Sequence, residues 1–160
     1  MNPTCPPASA AASACLLNPL LFSSTTTPLI FRKRAIRAMR LIKVETRLFE
    51  DWIGYITPKY AILSHTWEEE EVAYSHYVRG GFEGMKGYGK IDMTCRIAKE
   101  QGIPYAWVDT CCIDKSSSSE LSEAINSMYR WYQRAQVCYV YLSDLPHGAN
   151  WHEELPQCRW

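Results

Sequence analysis

Three short polar segments contain the side chains of this 160-residue sequence that could do chemistry. A histidine can act as a base near neutral pH, a carboxylate can transfer protons or bind sugar hydroxyls, and a thiol can be a nucleophile. Such residue types occur together at Ser64, His65 and Trp67, at Asp109, Thr110, Cys111 and Asp114, and at Ser143 and Asp144. These nine residues are the candidate pocket of the protein.

Each of these residue types also has a structural role that would explain its presence. His65 could bond a loop carbonyl, and Asp109 could cap a helix or bind loop amides. Cys111 and Cys112 are adjacent, which makes a strained disulfide and a poor pair of metal ligands, so we favour two buried thiols. No Cys-x-x-Cys pair occurs, and we expect no metal site.

Compact apolar runs precede the three polar segments and predict strands that are covered on both faces. The runs are Tyr60–Ser64, Tyr105–Asp109 and Val137–Leu142, and shorter extended candidates occur at Leu41–Val44 and around Leu48 and Phe49. Between Ser64 and about Gly89 the apolar residues follow no helix or strand period, and acids and glycines are frequent, which predicts a loop or an insertion.

Two helices are predicted between the apolar runs. Ile91, Cys95 and Ala98 form one apolar stripe on a helix that begins near Lys90 and stops at Gly102. The second helix follows the serines at 116–119 and extends to about residue 135. Alternating strands and helices predict an α/β fold with an open, mostly parallel sheet flanked by helices and a ligand crevice at the carboxyl ends of the strands.

Residues 1–38 are rich in Pro, Ala, Ser and Thr, show no period and end in a basic cluster, which predicts a disordered leader. Three roles remain open for this leader: a mitochondrial presequence, a nuclear-localisation patch at residues 32–40, or a dispensable extension upstream of an internal start at Met39. We favour the dispensable extension and a cytoplasmic protein.

Charge and cysteine content exclude several classes of protein. Residues 1–44 carry six Lys/Arg and no acid, whereas residues 45–160 carry 11 Lys/Arg against 17 Asp/Glu. An acidic body argues against nucleic acid as a partner, because phosphate binding needs a basic face. No apolar run is long enough to span a bilayer. The seven cysteines are too sparse for a disulfide scaffold and predict reduced thiols.

The chain resembles the fungal heterokaryon-incompatibility (HET) domain over about residues 39–160. The resemblance is carried by Tyr60–Trp67, Gly87–Ile91, Tyr105–Lys115 with its Trp-Val-Asp-Thr-Cys-Cys-Ile-Asp-Lys block, Glu120–Tyr132 and Cys138–Asp144. It implies a role in non-self recognition, in which HET proteins trigger growth arrest or programmed cell death through self-association or contact with protein partners.

HET domains are distantly similar to TIR domains, which implies a flavodoxin-like sheet. Some TIR domains cleave the nicotinamide–ribose bond of NAD with a glutamate, and others only self-associate. The resemblance therefore leaves a second function open, an NAD glycohydrolase in which NAD is the substrate and Ser64, His65, Trp67 and Asp109 form the pocket. No cofactor is implied with certainty.

The family's sequences continue from an Arg-Trp pair into a Gly-Trp-Thr-Leu-Gln-Glu-Leu-like block, whose glutamate corresponds to the TIR catalytic residue. This sequence stops at Arg159-Trp160, and Glu153 and Glu154 are not taken as substitutes. We therefore expect a partial HET domain over 39–160, a sheet incomplete at its C-terminal end, poor solubility and no enzymatic activity without that segment. An inactive truncated relic is the third alternative.

Overall fold

The structure, a computed structural model, describes residues 38–54, 57–145 and 150–159. The strands are β1 (Ala38–Lys43), β2 (Phe49–Ile53), β3 (Tyr60–His65), β4 (Tyr105–Trp107) and β5 (Val137–Tyr141). The helices are α1 (Tyr74–Arg79), α2 (Tyr88–Glu100), α3 (Asp109–Cys112), α4 (Ser118–Arg134) and α5 (Trp151–Glu154), followed by a 3₁₀ turn at Leu155–Gln157. The predicted leader lies outside the described residues, except for Ala38 at the start of β1.

The five strands form one mixed sheet in the order β2-β1-β4-β3-β5. β3 lies between β4 and β5 and is parallel to both, whereas β1 is antiparallel to β2 and to β4. The α/β class is confirmed, but the expectation of a mostly parallel sheet was wrong for the N-terminal half. A short turn connects β1 to β2, and a connection of that length allows only antiparallel pairing.

Two helical crossovers connect the three parallel strands. α2 leads from β3 to β4, and α4 leads from β4 back across β3 to β5. Because crossovers of this kind are right-handed and these two run in opposite directions, they place their helices on opposite faces of the sheet. α4 packs on the face that carries Tyr60 and Trp107, through the rings of Trp131 and Tyr132.

The predicted helices are confirmed with small changes at their ends. α2 begins two residues before Lys90, and Gly102 follows it with φ +67°, the left-handed conformation expected at that point. The Ser117 hydroxyl accepts a bond from Glu120 N at 3.3 Å and caps α4. β4 ends at Trp107 rather than Asp109, because the chain turns there into α3.

The segment from Ser64 to Gly89 contains the short helix α1, so its prediction as loop or insertion was incomplete. Aromatic side chains hold α1 against β2: Phe49 stacks on Tyr77 with ring centroids 4.4 Å apart, and Tyr77 stacks on Phe82 at the same distance. The Tyr77 hydroxyl also donates to Arg47 O at 2.8 Å. A six-residue helix of this kind depends on tertiary packing, which no local period reveals.

Candidate functional site

A cavity of about 610 Å³ lies at the carboxyl ends of β3 and β5. The strand order reverses at this position, because β4 and β5, the next strands along the chain, lie on opposite sides of β3. Ligands bind at such a position in open α/β sheets. Its walls come from the segment after β3, the first turn of α2, the end of β5 and the C-terminal segment: Trp67, Glu68, Glu69, Lys86, Gly87, Lys90, Tyr141 and Arg159.

Beside this cavity, Asp109 joins the ends of β3 and β4. One carboxylate oxygen lies 2.9 Å from His65 Nε2, and the other accepts a bond from Trp67 Nε1 at 2.8 Å. The His65 side chain is 1% exposed, and its Nδ1 lies 3.2 Å from Thr66 O. Both ring nitrogens therefore face oxygen atoms.

Electrostatics favour the ionised form of Asp109. Burial raises the pKa of this carboxyl, but the hydrogen bond and charge of His65, together with Lys115 and Trp67, more than offset burial and leave the pKa below its ordinary value. Because both oxygens already accept bonds, this carboxylate holds the site together and is not a free base.

Lys115 fixes Trp67 from its other side. Its ammonium group lies 3.6 Å from the centre of the Trp67 ring and donates to Asp109 O at 3.0 Å. Burial lowers the pKa of Lys115, and the charge of Asp109 opposes that shift. Trp67 is 51% exposed, so a large aromatic surface is held at the mouth of the cavity.

A buried ion pair forms the base of the cavity. The Lys90 side chain, 3% exposed, pairs with Glu71 and donates to Thr66 O at 3.5 Å. The same Glu71 oxygen accepts a bond from Glu68 N at 2.8 Å. The first turn of α2 is thereby fixed to the segment after β3, and a buried charge of this kind needs such a partner.

The nine predicted pocket residues separate into two groups in the structure. Ser64, His65, Trp67 and Asp109 lie together at the ends of β3 and β4, and of these only Trp67 lines the cavity. The other five do not line the cavity. Thr110 and Cys111 are buried, and Ser143 is exposed. Asp114 accepts a hydrogen bond from the Ser116 hydroxyl at 2.6 Å, and Asp144 accepts one from Arg159 N at 2.7 Å.

Sequence reasoning missed six side chains of the cavity: Glu68, Glu69, Lys86, Lys90, Tyr141 and Arg159. The rule that ligands bind where the strand order reverses could have indicated the first turn of α2. The burial of Lys90 was not predictable, because its partner Glu71 lies in a segment with no regular period. Within the described ranges, no three His, Cys, Asp or Glu side chains are grouped as metal ligands would be.

The fold and this site define an α/β domain with a ligand-sized cavity at the reversal of strand order. The sequence model of the heterokaryon incompatibility protein (HET) family matches residues 60–157, and the chain belongs to that family. It is also similar to the vegetative incompatibility protein HET-E-1 of Podospora anserina, with 47% identity over 112 residues. That match covers 64% of this chain and 8% of the relative. No solved structure matches the chain.

Among the described residues, no helix has both the length and the apolar character needed to cross a membrane. The predicted cytoplasmic location and the targeting roles of residues 1–38 stay predictions.

Proposed function

We propose that this chain acts in heterokaryon incompatibility, as a module that triggers growth arrest or cell death by self-association or contact with a protein partner. The observation that carries the proposal is the family match over residues 60–157, reinforced by 47% identity to a vegetative incompatibility protein. The matched span includes β3, β4, β5 and both crossover helices. The matched span therefore contains the parallel half of the sheet and every residue that lines the cavity except Arg159.

The same proposal includes a flavodoxin-like, TIR-like arrangement of this half. It is supported by three parallel strands with β3 in the centre, by two crossovers in opposite directions and by a cavity at the ends of β3 and β5, where the strand order reverses. A solved structure of the chain, compared strand by strand with a TIR domain, tests this assignment.

Inducible expression of the full chain in a filamentous fungus tests the proposed role. We expect arrest of hyphal growth and loss of viability after induction. Trp107→Asp places a charge in the core and should abolish the effect, whereas Met93→Ala, at an exposed position of α2, should preserve it. Normal growth with abundant, folded chain would contradict the proposal.

A second candidate function is cleavage of NAD, favoured by the composition of the cavity. Trp67 and Tyr141 offer aromatic surface to a base. Lys86 and Arg159 also line the cavity, each in an exposed ion pair at 3.5 Å with Glu70 or Glu68, and they could neutralise phosphates after exchanging those partners. Cleavage of NAD also needs a carboxylate that stabilises the oxocarbenium-like ribosyl transition state. The resemblance gives this role to a glutamate beyond Trp160.

Release of nicotinamide from NAD separates the two functions when it is measured on a form of the protein that carries the family's segment beyond Trp160, because the resemblance places the catalytic glutamate there. If the chain is a glycohydrolase, Lys86→Glu should lower the rate, because it places a negative charge beside the substrate's phosphates. The matched control is Lys99→Glu, at an exposed position near the other end of α2. A form with that segment that releases no nicotinamide and still arrests growth acts as a module without chemistry of its own.

A further inference from the structure

The outer face of α4, turned away from the sheet, carries two apolar side chains within a polar stripe. Ala124 and Ser127 are buried and mark the side of the helix that packs on the sheet. Ile125 and Tyr129 lie one turn apart on the outer side and are 62% and 78% exposed. They form an apolar patch on the surface of the described chain. The other exposed residues of this stripe are polar and uncharged: Ser118, Ser122, Asn126 and Gln133.

Charge changes sign along one flank of this stripe. Glu123 precedes the apolar patch, and Arg130 and Arg134 follow it. At about 100° per residue, these three side chains project within about 40° of one another and line the same flank of α4. A second α4 that runs antiparallel brings its arginines to Glu123, and the macrodipoles of the two helices then attract one another. A parallel helix would instead place each charge beside its own copy.

The outer face of α4 stays on the surface if the sheet continues beside β5. A further strand would extend the sheet sideways, and its helix would lie next to α4 in the layer that α4 already occupies. Neither addition covers the outer face of that layer. The expected incompleteness of the sheet therefore does not create this surface, and completion of the sheet does not remove it.

We propose that the outer face of α4 binds the same face of a second copy of the chain, with the two helices antiparallel about a two-fold axis. This inference rests on the proposed role as a self-associating module and names the surface. The register places Asn126 opposite Tyr129 of the other copy. Ile125 then packs on that tyrosine, and Glu123 lies between the two arginines of the other copy. Because the two-fold axis pairs each α4 face with its own copy, the assembly closes as a dimer.

Sedimentation of the full chain over a range of concentrations provides the first test. We expect a monomer–dimer equilibrium in the micromolar range, because one pair of helices is a small interface. Tyr129→Lys should raise the dissociation constant at least about tenfold, since it places a charge against Ile125 of the other copy. Met93→Lys is the matched control and should leave the equilibrium unchanged, because Met93 is an exposed apolar residue of α2, on the other face of the sheet. A wild-type monomer, an equal effect of both variants or an open series of higher oligomers would overturn the proposal.

Charge reversal tests the predicted ion pairs. Glu123→Arg should weaken the dimer, because it places a cation between two arginines of the other copy. Adding Arg134→Glu to that variant restores an attractive pair across the two-fold axis and should recover part of the lost affinity. Urea unfolding of both variants verifies that they are folded. A folded double variant that associates no better than Glu123→Arg would contradict the proposed pairing.

Cross-linking tests the direction and the register of the helices. Asn126→Cys and Ser118→Cys are made separately in a background in which four other cysteines are replaced with serine: Cys5, Cys15, Cys138 and Cys158. In the proposed register the two copies of position 126 are about 5 Å apart along the helix axis, and the two copies of position 118 are about 28 Å apart. A short bismaleimide should therefore cross-link Asn126→Cys and leave Ser118→Cys unlinked. Linkage at both positions would indicate parallel helices, and absence of linkage at position 126 would overturn the register.

Growth arrest distinguishes this inference from the function on which it rests. Tyr129→Lys should weaken both dimer formation and growth arrest. If it abolishes the dimer and leaves growth arrest intact, the pairing stands and the proposed signalling by self-association fails.

Discussion

The carboxylate of Asp109 connects parts of the chain that are far apart in sequence. His65 and Trp67 precede Asp109 by 44 and 42 residues, and each donates to a different oxygen of its carboxylate. The arrangement explains why residue types that could do chemistry occur at the ends of both β3 and β4. In the structure, their shared role is to hold Trp67 at the mouth of the cavity.

Asp109→Asn tests that positioning role. An amide presents only one acceptor oxygen, so one of the two donors loses its partner, and we expect the free energy of unfolding to fall by about 1–3 kcal/mol. Urea unfolding measures the change. Asp114→Asn is the matched control and should cost less, because the exposed hydrogen bonds of its carboxylate go to the neighbouring residues Ser116 and Ser117. Equal losses in the two variants would contradict the role of Asp109.

The pH dependence of stability follows from the lowered pKa of Asp109. A carboxyl whose pKa is lower in the folded state stabilises the fold fully above its unfolded pKa, near 3.9, and loses that contribution as pH falls through the folded pKa. The stability difference between the wild type and Asp109→Asn should therefore be constant near neutral pH and shrink below about pH 4. A difference that grows in acid would show that Asp109 is not held as a carboxylate.

At the scale of elements, the start of α2 is pressed against the segment that follows β3. A Cβ built on Gly87 would lie 2.9 Å from Glu71 Oε2 and 3.0 Å from Glu70 O. Gly87 N also donates to Glu70 O at 3.2 Å. The close approach of two backbones therefore requires glycine at this position, and it brings Lys90 to Glu71 at the base of the cavity.

Gly87→Ala should push these two segments apart and destabilise the fold by about 1–3 kcal/mol. Gly89→Ala is the matched control in the first turn of α2: a Cβ there meets nothing within 4 Å, and alanine is the better helix former, so stability should stay or rise by up to about 1 kcal/mol. Thermal unfolding of both variants provides the comparison. If Gly89→Ala cost as much as Gly87→Ala, helix propensity rather than close approach would explain the loss.

At the scale of the whole molecule, the core contains three of the five cysteines in the described ranges: Cys95, Cys111 and Cys112. Burial raises the pKa of Cys95 to about 12 and that of Cys111 well above its ordinary value. Thiol chemistry requires the thiolate, so both are inert in the folded state. The prediction of free, buried thiols at the adjacent cysteines is confirmed.

Maleimide labelling followed by peptide mapping measures how accessible each of these thiols is. In native buffer the label should reach the exposed Cys138 and the partly exposed Cys158, and Cys95, Cys111 and Cys112 should react together only as urea unfolds the chain. Cys138→Ser should remove one label without changing protection of the core thiols. Labelling of Cys111 ahead of global unfolding would show that α3 opens independently.

Much of the fold was predictable from local patterns. The apolar runs at Tyr60–Ser64 and Val137–Leu142 predicted the strands that the structure has at Tyr60–His65 and Val137–Tyr141, and the serine cap with its apolar stripe predicted α4. These elements depend on the period of apolar residues and on helix capping. Both involve residues close together in the chain, so a short stretch of sequence is enough to predict them. The alternation of strand and helix then predicted the parallel pairing among β3, β4 and β5. That a ligand binds at their carboxyl ends stays a prediction.

Other features depend on packing between segments that are distant in sequence, and only the tertiary structure decided them. Four features each need a partner that no local pattern identifies. They are the antiparallel pairing of β1 with β4, the packing of α1 on an aromatic stack, the burial of Lys90 against Glu71 and the hydrogen bond from Trp67 to Asp109. By itself, the sequence determined the family, the elements and the residue types at the carboxyl ends of the strands. Which of those residues reach the cavity is set by how the loops close over the sheet, because side-chain contacts and burial are properties of the packed chain.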